Sequence, residues 1–337
     1  MKSRKTRVLI VVLVLAAAAA AGFLAARLSG QSAPPAETNG PEDNRNTPDT
    51  PSPAAEDADW GSTVIYDGVR YRFNPDLTTV LFLGIDDAQD GAPDGNVGTG
   101  GRADALLLFI LDDAEQTTTA LAISRDTMTE VDVYKTNGDY AYSGLMHINM
   151  QYAYGDSPRR SCYLQKRTVS RLLYGMQIDG CISLTMEGIA RITEAMGGVT
   201  LTMPEDYTDI DGRYTAGAEI TLTGPEMERF VRYRDVEETG SNDVRMERQA
   251  WLLGEVFRQM KEKGGLRYVS TLLEQAADCI CSDLDAETMK HLADYTLADG
   301  TRNVPGATAE GERHDEFIVD EEALRALLIE LFYIPAA

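Results

Sequence analysis

Thr79–Ile85 reads TVLFLGI, an apolar run unbroken after its threonine and closed by Asp86. So short a run without polar alternation fits a strand buried on both faces, the habit of strands in α/β sheets. Two more apolar strands follow, Ala103–Leu111 and Thr117–Ser124, with Asp112–Gln116 as the turn between them. The short turn predicts an antiparallel hairpin, which sets the end of the third strand beside the start of the second. The Gly- and Asp-rich loop Asp87–Gly101 arrives at that same end. Asp86, Arg102, Asp104, Arg125 and Asp126 are therefore expected to gather at one rim of the sheet.

Downstream the apolar period changes to that of helices. Tyr163–Tyr174 and Glu187–Met196 have helical spacing, and Gly197-Gly198 offers a C-cap to the second. Val199–Met203 reads as a short strand before Pro204. Thr223-Gly224-Pro225 opens a further helix, with proline near its first position and Met227, Phe230 and Val231 on its buried face. Ser241–Asp243 supplies the N-cap of a long helix running to about Lys261. Strands alternating with helices predict an α/β fold, a three-layer α/β/α domain around a central mixed sheet.

The ends of the chain are of different character. MKSRKTR at residues 1–7 is a basic tail, and Val8–Ala26 is an uninterrupted apolar run of 19 residues. That is close to the ~20 residues a helix needs to span hydrocarbon, so residues 8–26 read as one transmembrane helix. The basic flank places the N-terminus in the cytoplasm and the rest of the chain outside the cell membrane. A cleaved signal peptide is the competing reading, given the small residues near Ala25. The run is longer than a typical signal core, which favours a retained anchor. Residues 27–60 form an extracellular linker: positions 31–59 hold six prolines and seven acidic residues without apolar periodicity, the composition of a disordered spacer. Residues 61–262 form the main folded domain. Residues 263–337 are an acidic extension, expected to be mainly helical, with 15 Asp/Glu against six Lys/Arg.

A net charge of -23 excludes nucleic acid as the main partner, because no broad basic surface exists to release its counterions. Four cysteines (Cys162, Cys181, Cys279, Cys281) in an exported domain permit disulfides in any of three pairings. With no CxxC and only three histidines, zinc chemistry is not indicated. Walker A, GxSxG and HExxH motifs are absent.

Against this acidic background, VRYRDVEETGSNDVRMERQ at Val231–Gln249 concentrates four arginines, Arg232, Arg234, Arg245 and Arg248. Arg245 and Gln249 are four apart and share a helix face. Guanidinium forks bind phosphate oxygens bidentately and helix N-termini attract anions. Surface ion pairing is enough to account for Arg213 or Arg229, whereas Arg232, Arg234 and Arg245 stand beside apolar residues and call for anionic partners. At the rim, Asp86 and Asp104 at the ends of adjacent strands suit a hard cation such as Mg²⁺, which takes one or two carboxylates plus phosphate oxygens. Turn and cap chemistry is the plain alternative for aspartates near glycines. His147 reads as a structural histidine and Asn149 as a helix cap.

LFLGID, GRADALLLFIL, AISRDT, HINMQYAYG, IARITEAMGGV and VRYRDVEETGSNDVRMERQ, in that order from Thr79 to Met260, resemble the LytR–CpsA–Psr family of cell-wall glycopolymer ligases. The resemblance implies a hydrophobic cavity holding a polyprenyl chain. It also implies a Mg²⁺-dependent phosphotransferase acting on an undecaprenyl-pyrophosphate-linked glycopolymer, such as teichoic acid or capsule. The acceptor would be the C6 hydroxyl of N-acetylmuramic acid in peptidoglycan, and undecaprenyl phosphate the leaving group. By motif, Asp86 and Asp104 match the Mg²⁺ ligands. Arg102, Arg125, Arg232, Arg234, Arg245 and Gln249 match the pyrophosphate and headgroup contacts. Arg125, Arg232, Arg234 and Asp104 are the candidate catalytic residues, and Asp126 in SRDT is placed to orient Arg125. Two positions depart from the pattern. The loop after LFLGID is long and offers Asp87, Asp90 and Asp94 as rivals to Asp86, and His147 stands where the family's usual lysine precedes Ile-Asn. Polyprenyl-pyrophosphate hydrolysis and non-enzymatic polyprenyl-phosphate binding by an envelope regulator are the rival functions.

Overall fold

The computed structural model describes residues 60–86, 101–135, 137–233, 248, 251–252, 255–256, 259, 276–284, 296–311 and 314–336. The chain divides into two compact units, one drawn from Pro35–Ser183 with Asp299–Ala337 and the other from Leu184–Ala298.

In the first unit a hairpin of β1 (Thr63–Tyr66) and β2 (Val69–Phe73) turns at Asp67-Gly68, both with positive φ (49° and 76°). The core strand is β3 (Leu77–Asp86), whose residues from Thr79 to Ile85 are all buried. It pairs antiparallel with β4 (Arg102–Asp112), setting Leu81 opposite Leu108 and Leu83 opposite Leu106. β5 (Thr117–Ile123) closes the expected hairpin, with Leu121 opposite Leu108 and Ile123 opposite Leu106. These leucines and Ile123 are at most 2% exposed, a dry layer along one face of the sheet. β6 (Met128–Tyr134) and β7 (Tyr140–His147) form a separate antiparallel ribbon.

A 3-10 segment, Ile148–Tyr154, leads into helix α1 (Pro158–Leu172). This helix begins five residues before the apolar periodicity does. Ser157 accepts a hydrogen bond from Arg160 N and proline occupies the first turn, a capping arrangement that polar residues encode. β8 (Gly180–Thr185) then takes its place on the other side of β3. Asp179 N donates to Thr79 O (3.0 Å), so β8 starts where β3 starts and the two run in the same direction. The sheet is therefore mixed, as expected.

In the second unit, helix α2 (Met186–Ala195) is capped by Thr185 Oγ1 and ends at Gly197-Gly198, both with positive φ. β9 (Val199–Thr202) pairs antiparallel with β10 (Glu219–Leu222). Helix α3 (Gly224–Arg232) opens with a Thr223–Glu226 capping box and buries Met227, Phe230 and Val231, the three residues its spacing selected. Of the long helix expected from Ser241, the described positions 248, 251–252, 255–256 and 259 are helical. Arg248, Leu252, Val256 and Gln259 are buried at i, i+4, i+8 and i+11, one face of a helix. Gln259 Oε1 accepts from Thr200 N (3.0 Å), tying that face to β9. A one-turn 3-10 segment at Ala277–Cys279 precedes β11 (Ile280–Ser282).

The C-terminal part carries more strand than its acidic composition suggested. β12 (Thr296–Asn303) follows β5 in the sheet order, and β13 (Gly306–Glu310) and β14 (Asp315–Val319) form a hairpin. Helix α4 (Glu321–Phe332) is capped by Asp320, and β15 (Tyr333–Pro335) returns to pair with β2. The Tyr333 hydroxyl donates to the backbone carbonyls of Trp60 and Gly61, which joins the two ends of the described chain. None of the four cysteines forms a disulfide. Among the described residues no helix is long and apolar enough to cross a membrane; Val8–Ala26 lies outside them.

Candidate active site

The rim of the sheet is shaped by one irregularity. Gly84 pairs with Ala105 but Ile85 pairs with Ala103, so Asp104 is the extra residue of a β-bulge in β4. A bulge breaks the strict alternation of faces. Ala103 and Asp104 are both buried in consequence, Asp104 with only 4% of its surface exposed. Extending the β4–β5 register two residues past Leu106 and Ile123 brings Asp104 opposite Arg125. There Arg125 Nη1 donates to Asp104 Oδ2 at 2.6 Å. Beyond the bulge, Asp86 ends β3 opposite Arg102, which is exposed.

The SRDT loop is held as a turn, with Thr127 N and Oγ1 both donating to Ser124 O (3.1 and 2.6 Å). Arg125 Nε lies 3.3 Å from Asp126 Oδ1, so two carboxylates flank one guanidinium. HINMQYAYG docks on this loop. Ile148 N donates to Thr127 O (2.8 Å), Asn149 N to Arg125 O (3.3 Å), and Asn149 Nδ2 to Asp104 Oδ1 (3.3 Å). Asn149 is thus no helix cap: the residue before the 3-10 segment is His147, and the Asn149 amide turns inward to Asp104. Gln151 fixes the segment. Its amide exchanges two bonds with the Asp132 backbone (2.8 and 3.0 Å) and accepts from Thr168 on α1 (2.9 Å).

The C-terminal hairpin also reaches the rim. Phe317 N donates to Asp126 O (2.9 Å) and Phe317 pairs in parallel with Thr127. This brings the His314 ring to 6.3 Å from that of His147, whose Nδ1 is 3.8 Å from Asp126 Oδ1. Sequence reasoning missed Asn149, His314 and Glu316 as neighbours of the site. No local pattern signals them, because the first reaches the rim only through the docking of its segment on the SRDT loop and the others are placed by a strand pairing some 190 residues away in sequence.

Burial drives the His147 imidazole below its ordinary value. Asp126 pulls the other way, His314 and Arg125 add to the depression, and Glu316 opposes it. The unfolded chain therefore takes up this proton at a higher pH than the folded one. The His147 contribution to stability is whole above about pH 6.5 and declines as pH falls below that. Urea titrations at pH 7.5 and 5.5 should show wild type losing more stability on acidification than His147→Asn; equal losses would mean that other groups carry the dependence.

Asp86, Arg102, Asp104, Arg125 and Asp126 thus all belong to one unit and one end of the sheet. Arg232 belongs to the other unit, is exposed, and pairs with Glu228 one helical turn away (3.0 Å). Arg234, Arg245 and Gln249 lie outside the described residues, as do Asp87, Asp90 and Asp94. Arg248 is structural: its guanidinium lies within 6 Å of the Tyr207, Phe230 and Tyr233 rings, and it donates to Tyr233 O.

Among the described residues no three His, Cys, Asp or Glu side chains gather as a closed metal cage. The rim instead offers two carboxylates, Asp86 and Asp104, with the buried amide oxygen of Asn149, which has no hydrogen-bond partner among the described residues. An all-oxygen set of so few donors suits a hard cation that completes its shell with phosphate oxygens and water.

The model of the LytR_cpsA_psr family matches residues 54–330. A polyisoprenyl-teichoic acid–peptidoglycan teichoic acid transferase TagU of Halalkalibacterium halodurans is 24% identical over 217 residues, 64% of each chain. TagU of Bacillus cereus is 30% identical over 176 residues, 52% of this chain and 50% of that one. The chain thus spans between half and two thirds of the length of these curated relatives. The crystal structure of Bacillus subtilis TagU superposes with a TM-score of 0.54 over 76% of this chain and 95% of that one, at 20% identity, a likeness of fold.

Proposed function

The chain belongs to the LytR–CpsA–Psr family, and on that premise we propose that it is a Mg²⁺-dependent glycopolymer–peptidoglycan phosphotransferase. Its donor is a glycopolymer carried on undecaprenyl pyrophosphate, and a teichoic acid is the polymer that the names of its relatives favour. Its acceptor is the C6 hydroxyl of N-acetylmuramic acid. Residues 8–26 anchor it in the cell membrane, and the lipid chain of the donor lies in an apolar cavity of the domain. The observation that carries the reading is the part-buried Arg125–Asp104 pair at the bulged sheet rim, beside Asp86 and Arg102.

Asp86 and Asp104 would hold the cation, which when bound neutralises the pyrophosphate and makes its phosphorus a better electrophile. Arg125 and Arg102, joined by Arg232, Arg234, Arg245 and Gln249, bind the diphosphate oxygens. The acceptor O6 attacks the phosphorus next to the glycan. The bond from that phosphorus to the bridging oxygen breaks, undecaprenyl phosphate leaves, and a phosphodiester links polymer to muramic acid. A carboxylate at the rim, with Asp104 as the candidate, takes the hydroxyl proton. Charge spreads over the phosphoryl oxygens in the transition state, so the arginines act mainly by electrostatic stabilisation.

The test is product analysis with a lipid-linked donor and Mg²⁺, with and without peptidoglycan. Transfer predicts polymer bound covalently to peptidoglycan together with free undecaprenyl phosphate. Release of phosphorylated polymer to water regardless of acceptor would replace the ligase with a hydrolase. Binding of donor without turnover would leave only an envelope-binding role.

A further inference from the structure

Asn149 is 3% exposed and touches two residues of the rim. Its backbone N–H holds the Arg125 carbonyl and its Nδ2 holds Asp104 Oδ1. The second bond fixes which way round the amide sits, because an ionised carboxylate can only accept. The Asn149 carbonyl oxygen is then the atom left over, buried and, among the described residues, without a hydrogen-bond partner. Leaving such an acceptor unsatisfied forfeits the hydration it had in the unfolded chain without replacing it. The fold does not need it there. Gln151 anchors the 3-10 segment to Asp132 and Thr168, and Gln165 Nε2 donates to Ile148 O (3.0 Å). Ser124 Oγ, also buried without a partner among the described residues, precedes the arginine that the segment packs on.

We propose that Asn149 is a third oxygen ligand of the cation site: Nδ2 orients the Asp104 carboxylate, and Oδ1 binds the cation. The proposal rests on the assignment of that site to Asp86 and Asp104. Amide carbonyls are ordinary ligands of hard cations, and a neutral one adds a donor without adding to the repulsion between two carboxylates. The same amide thus does two things that neither aspartate at this position nor an apolar residue could combine. Aspartate would keep an oxygen ligand but would set a carboxylate against Asp104 Oδ1.

Mn²⁺ binding to the full chain in detergent, followed by electron paramagnetic resonance, separates the possibilities. Wild type should bind Mn²⁺ and release it to Mg²⁺. Asn149→Leu, close in size and without polar atoms, should weaken Mn²⁺ binding at least tenfold. Asn149→Asp should bind Mn²⁺ as well as wild type or better, yet transfer polymer more slowly. Thermal unfolding in chelator shows whether each variant folds, and Asn149→Ala takes the place of the leucine variant if that one does not. Wild-type Mn²⁺ affinity in Asn149→Leu or Asn149→Ala, with binding lost in Asp104→Asn, would overturn the Asn149 assignment and leave the carboxylate site standing. Absence of Mn²⁺ binding by wild type would overturn both.

Discussion

Arg125→Ala should lower polymer transfer by at least about 10²–10³-fold, the loss typical when one preorganised charge-stabilising donor is removed. Arg125 is well placed for such a role. Its side chain is 16% exposed, so its charge acts through partly desolvated surroundings, and Asp104 and Asp126 hold it from two sides. A donor fixed before the substrate arrives spends nothing on reorganisation as charge develops. Arg125→Lys should recover little. An ammonium keeps the charge but cannot bond Asp104 through one nitrogen while presenting others to a phosphoryl group. The substitution also leaves the Asp104 carboxylate buried without its ion partner, so some stability is lost with the activity. Single-turnover rates at saturating donor separate the two, since a rate loss that persists below the unfolding range belongs to the site. Near wild-type transfer by a folded Arg125→Ala would remove this residue from the mechanism.

The parts of this site that the sequence displayed are those set by short-range patterning. TVLFLGI announces a doubly buried strand, and Asp112–Gln116 announces the hairpin that carries Arg125 back to Asp104. The bulge at Asp104 left no such mark. A one-residue change of register depends on how β3 and β4 fit together, and an alternating pattern can absorb it at a single position. Helix α1 starts ahead of its apolar spacing because Ser157 and Pro158 open it with polar chemistry, whereas that spacing becomes regular only further on. Arg248 looked like a member of the arginine cluster, but aromatic rings at positions 207, 230 and 233 enclose it, and only tertiary packing brings those rings together. The contribution of β14 to the rim is of the same kind. It depends on one strand meeting Thr127 from far along the chain, and no local propensity encodes that.

Asp132→Ala should be the most destabilising substitution at a residue remote from the chemistry, costing about 3–5 kcal/mol, as breaking one side of a buried ion pair does. Asp132 is 4% exposed on β6 and collects Arg171 Nη2 at 2.7 Å, Arg167 Nη2 at 3.3 Å and the Ser143 hydroxyl at 2.7 Å. Both arginines are on α1, so this carboxylate fastens the helix to the ribbon. Removing it takes a carboxylate from two guanidinium groups: Arg171 retains Glu130 (2.7 Å), whereas Arg167 loses its ion pair. Burial alone would raise the Asp132 carboxyl; the Arg171 and Ser143 hydrogen bonds and the charges of Arg171 and Arg167 outweigh it and hold the group below the ordinary aspartate range. A depressed carboxyl stabilises the fold above its unfolded value, near pH 4, and that contribution is lost as pH falls toward the folded value. The gap in unfolding free energy between wild type and Asp132→Ala should therefore be full at pH 7 and shrink below pH 4. A gap unchanged at pH 3 would mean that lost packing, not charge, sets the cost. The bonds of Gln151 go to the Asp132 backbone, which alanine retains. Asn149 should accordingly keep its place beside Asp104, and Asp132→Ala should transfer polymer at close to the wild-type rate at temperatures where it remains folded.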